Sequence, residues 1–170
     1  TIELNPNFFE ANLNLGAVLN TLGQLQDAEF FTRKAAQLNP SSSDSYLNLG
    51  NILRDLGNLK EAELSTRKAL EINPASANAH LNLGSIFNDL GNLKGAELST
   101  RKAIELNSKL EKAHKNLGNI LIDLGNLKGA ELSTRKAIEL NPNYSDAYLN
   151  LGKIFRDLGK IEAAELSTRK

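Results

Sequence analysis

Five asparagines recur at a fixed step of 34 residues: Asn14, Asn48, Asn82, Asn116 and Asn150. Each opens the string Asn-Leu-Gly, so the step belongs to a longer repeated unit. A primary amide offers two donors and one acceptor and carries no charge. A peptide backbone offers the complementary groups, so a row of amides could hold an extended chain with little regard for its side chains. In the second unit, Asp44, Asn48, Asn51 and Asp55 are spaced 4, 3 and 4 apart, which puts them on one face of a helix. The neighbouring columns vary. One reads Glu10, Asp44, Asn78, Lys112, Asp146, and another reads Ala17, Asn51, Ser85, Asn119, Lys153. An acidic row one turn on consists of Asp55, Asp89, Asp123 and Asp157, with Arg54 and Arg156 near it. The candidate peptide-binding set is therefore Asn14, Asn48, Asn82, Asn116 and Asn150 with Asn51, Asn119, Asp55, Asp89 and Asp123. Basic side chains on the ligand would suit the acidic row. As a solvated face the row needs no ligand, and the amides could also bond neighbouring backbones and merely join units.

Other chemistry is poorly supported. There is no Cys, so disulfides, thiol nucleophiles and Cys-ligated zinc are excluded. His80 and His114 occupy matching places in adjacent units, but two imidazoles are too few for a metal site. They fit better as substitutes in the column Asn12, Tyr46, His80, His114, Tyr148. No Gly-rich phosphate loop and no Ser–His–Asp grouping is present, and the repeated acids do not form a shifted acid–base pair. We therefore expect no enzyme and no cofactor. Twenty Lys+Arg against twenty Asp+Glu leave no net charge, which argues against a nucleic-acid partner. No apolar run approaches the ~20 residues of a membrane span, and no signal peptide is evident. A cytoplasmic location is expected, and Asn143-Tyr144-Ser145 is then a chance glycosylation sequon.

The elements that would position the amides follow from the same period. Gly16, Gly50, Gly84, Gly118 and Gly152 form one column, and Gly23, Gly57, Gly91, Gly125 and Gly159 another. Pro6, Pro40, Pro74 and Pro142 form a third, broken by Ser108. In the second unit, Tyr46, Leu49, Ile52, Leu53 and Leu56 predict a helix over 42–55. Gly57 suits a left-handed stop. Asn58 can cap a second helix over 58–71, with Glu61 as its capping-box partner. Leu59, Ala62, Ala69 and Ile72 share one face of it, and Pro74 ends it. Gly95 and Gly129 replace Glu61, which predicts helix starts weaker by up to about 1 kcal/mol. Gly50 and Ala62, on opposite arms of a hairpin, permit close backbone approach. One hairpin cannot cover its own apolar face, so stability must be shared between stacked units. Glu63, Arg67 and Glu71, repeated as Glu97, Arg101, Glu105 and as Glu131, Arg135, Glu139, read as a solvated outer stripe of ion pairs worth ~0.2–0.5 kcal/mol each.

Tyr46…Leu49-Gly50…Gly57…Ala62…Ala69…Pro74 in a 34-residue helix–turn–helix unit resembles the tetratricopeptide repeat family over the whole chain. The departures are the mixed column at Asn12, Tyr46, His80, His114 and Tyr148, the constant Thr32, Thr66, Thr100, Thr134 and Thr168 at a bulky position, and Ser108. The pentatricopeptide RNA-reading family has a slightly longer period, and the strict spacing, the Leu-Gly pair and the charge balance disfavour it. The resemblance implies an all-α, right-handed α-solenoid of stacked hairpins. Its first helices would line a concave groove and its second helices would face outward. We expect residues 1–8 to be the tail of a preceding repeat, 9–42, 43–76, 77–110 and 111–144 to be four repeats, and 145–170 a truncated fifth. The missing initiator Met suggests an excised or processed fragment, and its uncapped ends could stack head to tail.

The amide column is similar to the asparagine ladder of the O-linked N-acetylglucosamine transferase superhelix. Leu13, Leu47, Leu81 and Leu149 border it, with Lys115 interrupting. The implied function is a non-enzymatic protein–protein interaction scaffold holding an extended peptide. The alternatives are a substrate-recruiting arm of a larger glycosyl- or sulfo-transferase, and a structural or engineered array without a natural ligand. The family's carboxylate-clamp mode finds candidate cations in Lys112 and Lys153, but Asn116 and Asn150 stand where Arg would be needed.

Overall fold

The computed structural model describes residues 8–168. They form ten helices, and there is no strand among the described residues. First and second helices alternate as α1 (Phe9–Thr21), α2 (Leu25–Leu38), α3 (Ser43–Asp55), α4 (Leu59–Ile72), α5 (Ala77–Asp89), α6 (Leu93–Leu106), α7 (Glu111–Asp123), α8 (Leu127–Leu140), α9 (Ser145–Asp157) and α10 (Ile161–Thr168). The expected tail at 1–8 lies outside the described residues except for Phe8. The chain divides into two compact units, Thr1–Ile86 and Phe87–Lys170.

In both units, α-hairpins pack against the next helix in sequence: α1 with α2 and α2 with α3 in the first, α6 with α7 and α7 with α8 in the second. The hairpin turns have one cause. Gly23, Gly57, Gly91, Gly125 and Gly159 have φ between 73° and 80°, a region that only glycine enters without a steric penalty. At Gly57 its N–H donates to the Arg54 carbonyl at 2.9 Å, and the Asn58 N–H donates to the Leu53 carbonyl at 2.8 Å. This pair of bonds closes the helix end. Between repeats, Asn39, Asn73, Asn107 and Asn141 each accept from the backbone N–H two residues on, at 3.1–3.2 Å. That side-chain turn forms at Asn107 too, so the chain reverses there without a proline at Ser108.

The cores consist of small and branched residues at the expected periods. Leu49, Leu53, Ala62 and Ile86 cluster in the first unit. Leu117, Leu121, Ala130 and Ile154 cluster in the second, with Ile104, Ile122 and Leu158 packed on them. Ala28, Ala62, Ala96 and Ala130 are wholly buried, as are Ala35, Ala69, Ala103 and Ala137.

The close approach inside the α1–α2, α3–α4 and α7–α8 hairpins involves a partner other than the alanine. A Cβ at Gly16, Gly50 or Gly118 would collide with the hydroxyl of Thr32, Thr66 or Thr134, respectively. The carbonyl of Ala62 stands 3.3 Å from the Gly50 site, a looser contact than the hydroxyl. The constant threonine and the constant glycine are thus one device. Thr fills the space that the missing Cβ leaves, and Thr32, Thr66, Thr100 and Thr134 are all fully buried.

The helix starts reverse the expectation from sequence. Asn58 makes no side-chain cap bond to α4. Asn92 and Asn126 do cap, accepting from the N–H of Gly95 and Gly129 at 3.0 Å. The reason is space: a Cβ at Gly95 would sit 2.7 Å from the Asn92 amide nitrogen, so the amide lies where Glu61 has its side chain. Glu61 is no capping-box partner either. It accepts from Arg33 of the preceding repeat at 2.5 Å, and Arg33 is also held by Glu29 at 2.8 Å. Glycine at those helix starts therefore brings a cap as well as a propensity penalty.

Candidate peptide-binding face of the first helices

The candidate residues all lie on first helices. In the first unit α1 lies beside α3, and in the second α7 lies beside α9. Asn14 on α1 is exposed, and Asn48 and Asn51 on α3 are partly buried. Asn116 and Asn119 on α7 and Asn150 on α9 are partly buried as well. Asp55, Asp89 and Asp123 are exposed and are the last residues of α3, α5 and α7. A carboxylate at a helix C-terminus faces the negative end of the macrodipole, so the acidic row is locally unfavourable.

Asn82 differs from its column. It is only 6% exposed, and its amide nitrogen donates to the Thr66 hydroxyl at 3.0 Å. The same nitrogen lies 3.1 Å from the Cβ position of Gly50. Glycine on α3 thus opens the place into which α5 inserts its amide. The bond joins the third repeat to the second helix of the repeat before it. The hydroxyls of Thr32, Thr100 and Thr134 have no such donor.

The bordering residues include one charged anchor. Leu13, Leu47 and Leu81 are partly buried, whereas Leu149 is 58% exposed. Lys115, in place of the leucine on α7, is partly buried, with its ammonium 6.0 Å from the centre of the Tyr144 ring and 4.0 Å from the Asp146 carboxylate. Burial, together with the charges of Asp146 and Glu111, raises the Tyr144 phenol above its ordinary pKa. Lys112 and Lys153 are both exposed.

The histidines, in the first turns of α5 and α7, reach back to the preceding loops. His80 Nε2 is 3.0 Å from the Pro74 carbonyl, and His114 Nε2 is 3.0 Å from the Ser108 carbonyl. Among the described residues no group of three or more His, Cys, Asp or Glu side chains could hold a metal ion. No helix there is long and apolar enough to cross a membrane.

The outer stripe holds ion pairs. Arg67, Arg101 and Arg135 bond Glu63, Glu97 and Glu131 at 2.8–3.0 Å. Glu71, Glu105 and Glu139 accept from Lys68, Lys102 and Lys136 at 2.6–2.9 Å. Each pair is open to solvent and is worth a few tenths of a kcal/mol. The row of exposed apolar residues beside this stripe, Phe30, Leu64, Leu98, Leu132 and Leu166, was missed by the sequence reading. Its signal was available: Leu64 lies two places after the buried Ala62, about 200° around the helix.

No curated protein sequence matches the chain. Solved structures do. The structure from a functional characterisation of Pseudomonas aeruginosa pilF is 22% identical, with a TM-score of 0.86 over 94% of this chain and 72% of that one. TTC0263 of Thermus thermophilus, a thermophilic TPR protein, is 20% identical, with a TM-score of 0.83 over 94% of this chain and 88% of that one. YrrB, described as a TPR protein with an unusual peptide-binding site, is 26% identical, with a TM-score of 0.71 over 98% of this chain and 86% of that one. Tetratricopeptide repeat models match residues 43–76 and 111–144, residues 77–110, and residues 1–30 and 134–165. With its glycine-terminated hairpins and all-α architecture, the chain belongs to the tetratricopeptide repeat family, whose fold is typical of protein–protein interaction scaffolds.

Proposed function

We propose that this chain is a non-enzymatic scaffold whose first-helix face holds an extended peptide segment through asparagine amides. The observation that carries the reading is the placement of Asn14, Asn48, Asn116 and Asn150 on first helices, open in whole or in part to solvent, while the apolar cores are formed by other columns. The peptide-binding site ascribed to YrrB is in keeping with it. Asn82 takes a different part: its donor is engaged by Thr66, so it joins repeats and leaves the ligand to its neighbours. Asp55, Asp89 and Asp123 would favour basic side chains on the bound segment, at some expense in helix stability. Residues 9–42, 43–76, 77–110, 111–144 and 145–170 are the working repeat boundaries in this reading.

A random peptide library displayed on phage, selected on the wild-type chain, tests it. Clones should lose about tenfold or more in retention on an Asn116→Ala, Asn150→Ala variant, as expected when hydrogen-bonding groups of a bound backbone are left unpaired. Asn82→Ala should instead lower stability and leave retention nearly unchanged. Full retention of every clone on the double variant refutes the amide mechanism.

A further inference from the structure

We propose that the outward face of the second helices is a separate docking surface, which takes a partner segment carrying large apolar side chains flanked by carboxylates. Phe30 and Leu64 in the first unit, and Leu98, Leu132 and Leu166 in the second, occupy the same place in each second helix and are 62–73% exposed. Single exposed leucines are ordinary. An apolar residue left in water at the same place in every repeat is a patterned surface.

In the second unit this surface is concave. A depression of about 470 Å3 is lined by Ile104, His114, Leu117 and Leu132, with Arg101 and Lys136 at its edge. Its floor is α7, which packs against both α6 and α8. One repeat on, a depression of about 400 Å3 is lined by Ile138, Tyr148, Leu151, Phe155 and Leu166. Both lie in the range of clefts that enclose small ligands, roughly 300–1,000 Å3, and are ample for a large side chain. The leucines stand among ion-paired charged side chains, which the polar groups of a peptide can meet and the interior of a bilayer cannot.

Charge selects the peptide's character. Every carboxylate on α6 and α8 is already held: Glu97 by Arg101, Glu105 by Lys102, Glu131 by Arg135, and Glu139 by Lys136. Lys94 and Lys128 carry no ion pair among the described residues. They stand one helical turn before Leu98 and Leu132, on the same face. The complement is an apolar side chain with an acidic neighbour. A second copy docking by the same patch would bring lysine against lysine, which disfavours self-association there. On α10 the lysine place is Glu162, so the charge preference belongs to the Leu132 depression and the Leu166 depression adds apolar area.

The test uses the full chain and the same phage-displayed random peptides. A distinct group of clones should pair leucine or aromatic residues with Asp or Glu. These clones should bind a Leu132→Asp variant about tenfold or more weakly yet bind the Asn116→Ala, Asn150→Ala variant fully. Lys94→Glu with Lys128→Glu should shift the selected sequences from acidic to basic, a readout that holds even if Leu132→Asp is poorly folded. The proposal is overturned if no clone depends on Leu132 or on the two lysines, or if all clones depend on the asparagines. It is also overturned if sedimentation shows self-association that Leu132→Asp abolishes, which makes a second copy the occupant. Binding of the chain to phosphatidylserine vesicles that Leu132→Asp abolishes would overturn it too, by making the occupant a lipid surface.

Discussion

The glycine–threonine pairing makes a quantitative claim about Gly118 and Thr134. A Cβ at Gly118 would collide with the Thr134 hydroxyl, while the next obstacles, the Ala130 carbonyl at 3.5 Å and Thr134 Cβ at 3.6 Å, are at ordinary contact distance. Nearly all the strain in Gly118→Ala therefore comes from one oxygen. Overpacking of this kind costs about 1–3 kcal/mol, against which an alanine in mid-helix gains about 1 kcal/mol over glycine. The net effect of Gly118→Ala alone is a loss of up to about 2 kcal/mol.

Thr134→Ala removes the obstacle. It deletes a buried methyl worth about 1 kcal/mol, but it also deletes a buried hydroxyl without a partner, whose burial costs about 1–3 kcal/mol. Its own effect should lie between neutral and a gain of about 2 kcal/mol. In that background Gly118→Ala should change sign and stabilise by up to about 1 kcal/mol, giving a coupling of about 1–3 kcal/mol for two residues in contact. Urea unfolding followed by far-UV circular dichroism, fitted with a nearest-neighbour repeat model, measures the four corners of the cycle. Equal destabilisation by Gly118→Ala in both backgrounds would show that the helix backbones, not the hydroxyl, set the need for glycine. At Gly50 the rescue by Thr66→Ala should be incomplete, because the Asn82 amide also lies 3.1 Å from the site.

Four further outcomes follow from particular contacts. Gly95→Ala should gain little or lose stability, despite the usual gain of about 1 kcal/mol, because the Asn92 cap, worth about 0.5–2 kcal/mol, must move off the new Cβ; a full gain in chemical denaturation contradicts this. Ser108→Pro should stabilise by about 0.4–1 kcal/mol, since Asn107 already forms the turn that precedes proline in the neighbouring repeats and the Ser108 carbonyl that meets His114 is retained; a drop in the melting midpoint would refute it. Asp123→Asn should raise stability by about 0.3–1 kcal/mol at low salt and less at high salt, by removing a charge from the C-terminal end of α7; salt-dependent melts check it. Tyr144 has a folded-state pKa raised first by burial and then by Asp146 and Glu111, so the folded chain holds this proton above the ordinary value of about 10. Its contribution is full below the unfolded value and is lost as pH rises through the folded one. Tyr144→Phe should flatten that part of the alkaline stability profile, and a phenolate absorbance titration of the variant should lose a late-ionising step.

Much of this was legible because glycine and proline punctuate so strongly. The left-handed stop at Gly57 and both helix spans of the second repeat lie within a residue of where the spacing put them. Pairings across elements were less accessible. Thr66 looked like a departure from the family's pattern, yet it occupies the volume that Gly50 vacates. Glu61 matched a capping box by spacing, but Arg33, 28 residues away, offers it a charge-assisted bond that no backbone N–H equals. Asn92 caps where Asn58 does not because residue 95 has no Cβ, a steric condition that propensity alone does not express. Leu64 shows the opposite failing. Its exposure follows from helical geometry, and an apolar residue was passed over because the charged stripe beside it explained the face.

The asparagine column shows why identical residues at identical spacing need not share a role. Asn82 reaches the Thr66 hydroxyl, whereas the hydroxyls of Thr32, Thr100 and Thr134 remain buried without a partner. A net hydrogen bond of this kind is worth only about 1 kcal/mol, so an amide in the column has two nearly balanced uses, inward to the preceding repeat or outward to a ligand. A bound backbone must offer more than the hydroxyl does to hold the outward arrangement. If the proposed peptide reading holds, its affinity would be set by how many amides turn outward together, not by how many the sequence contains.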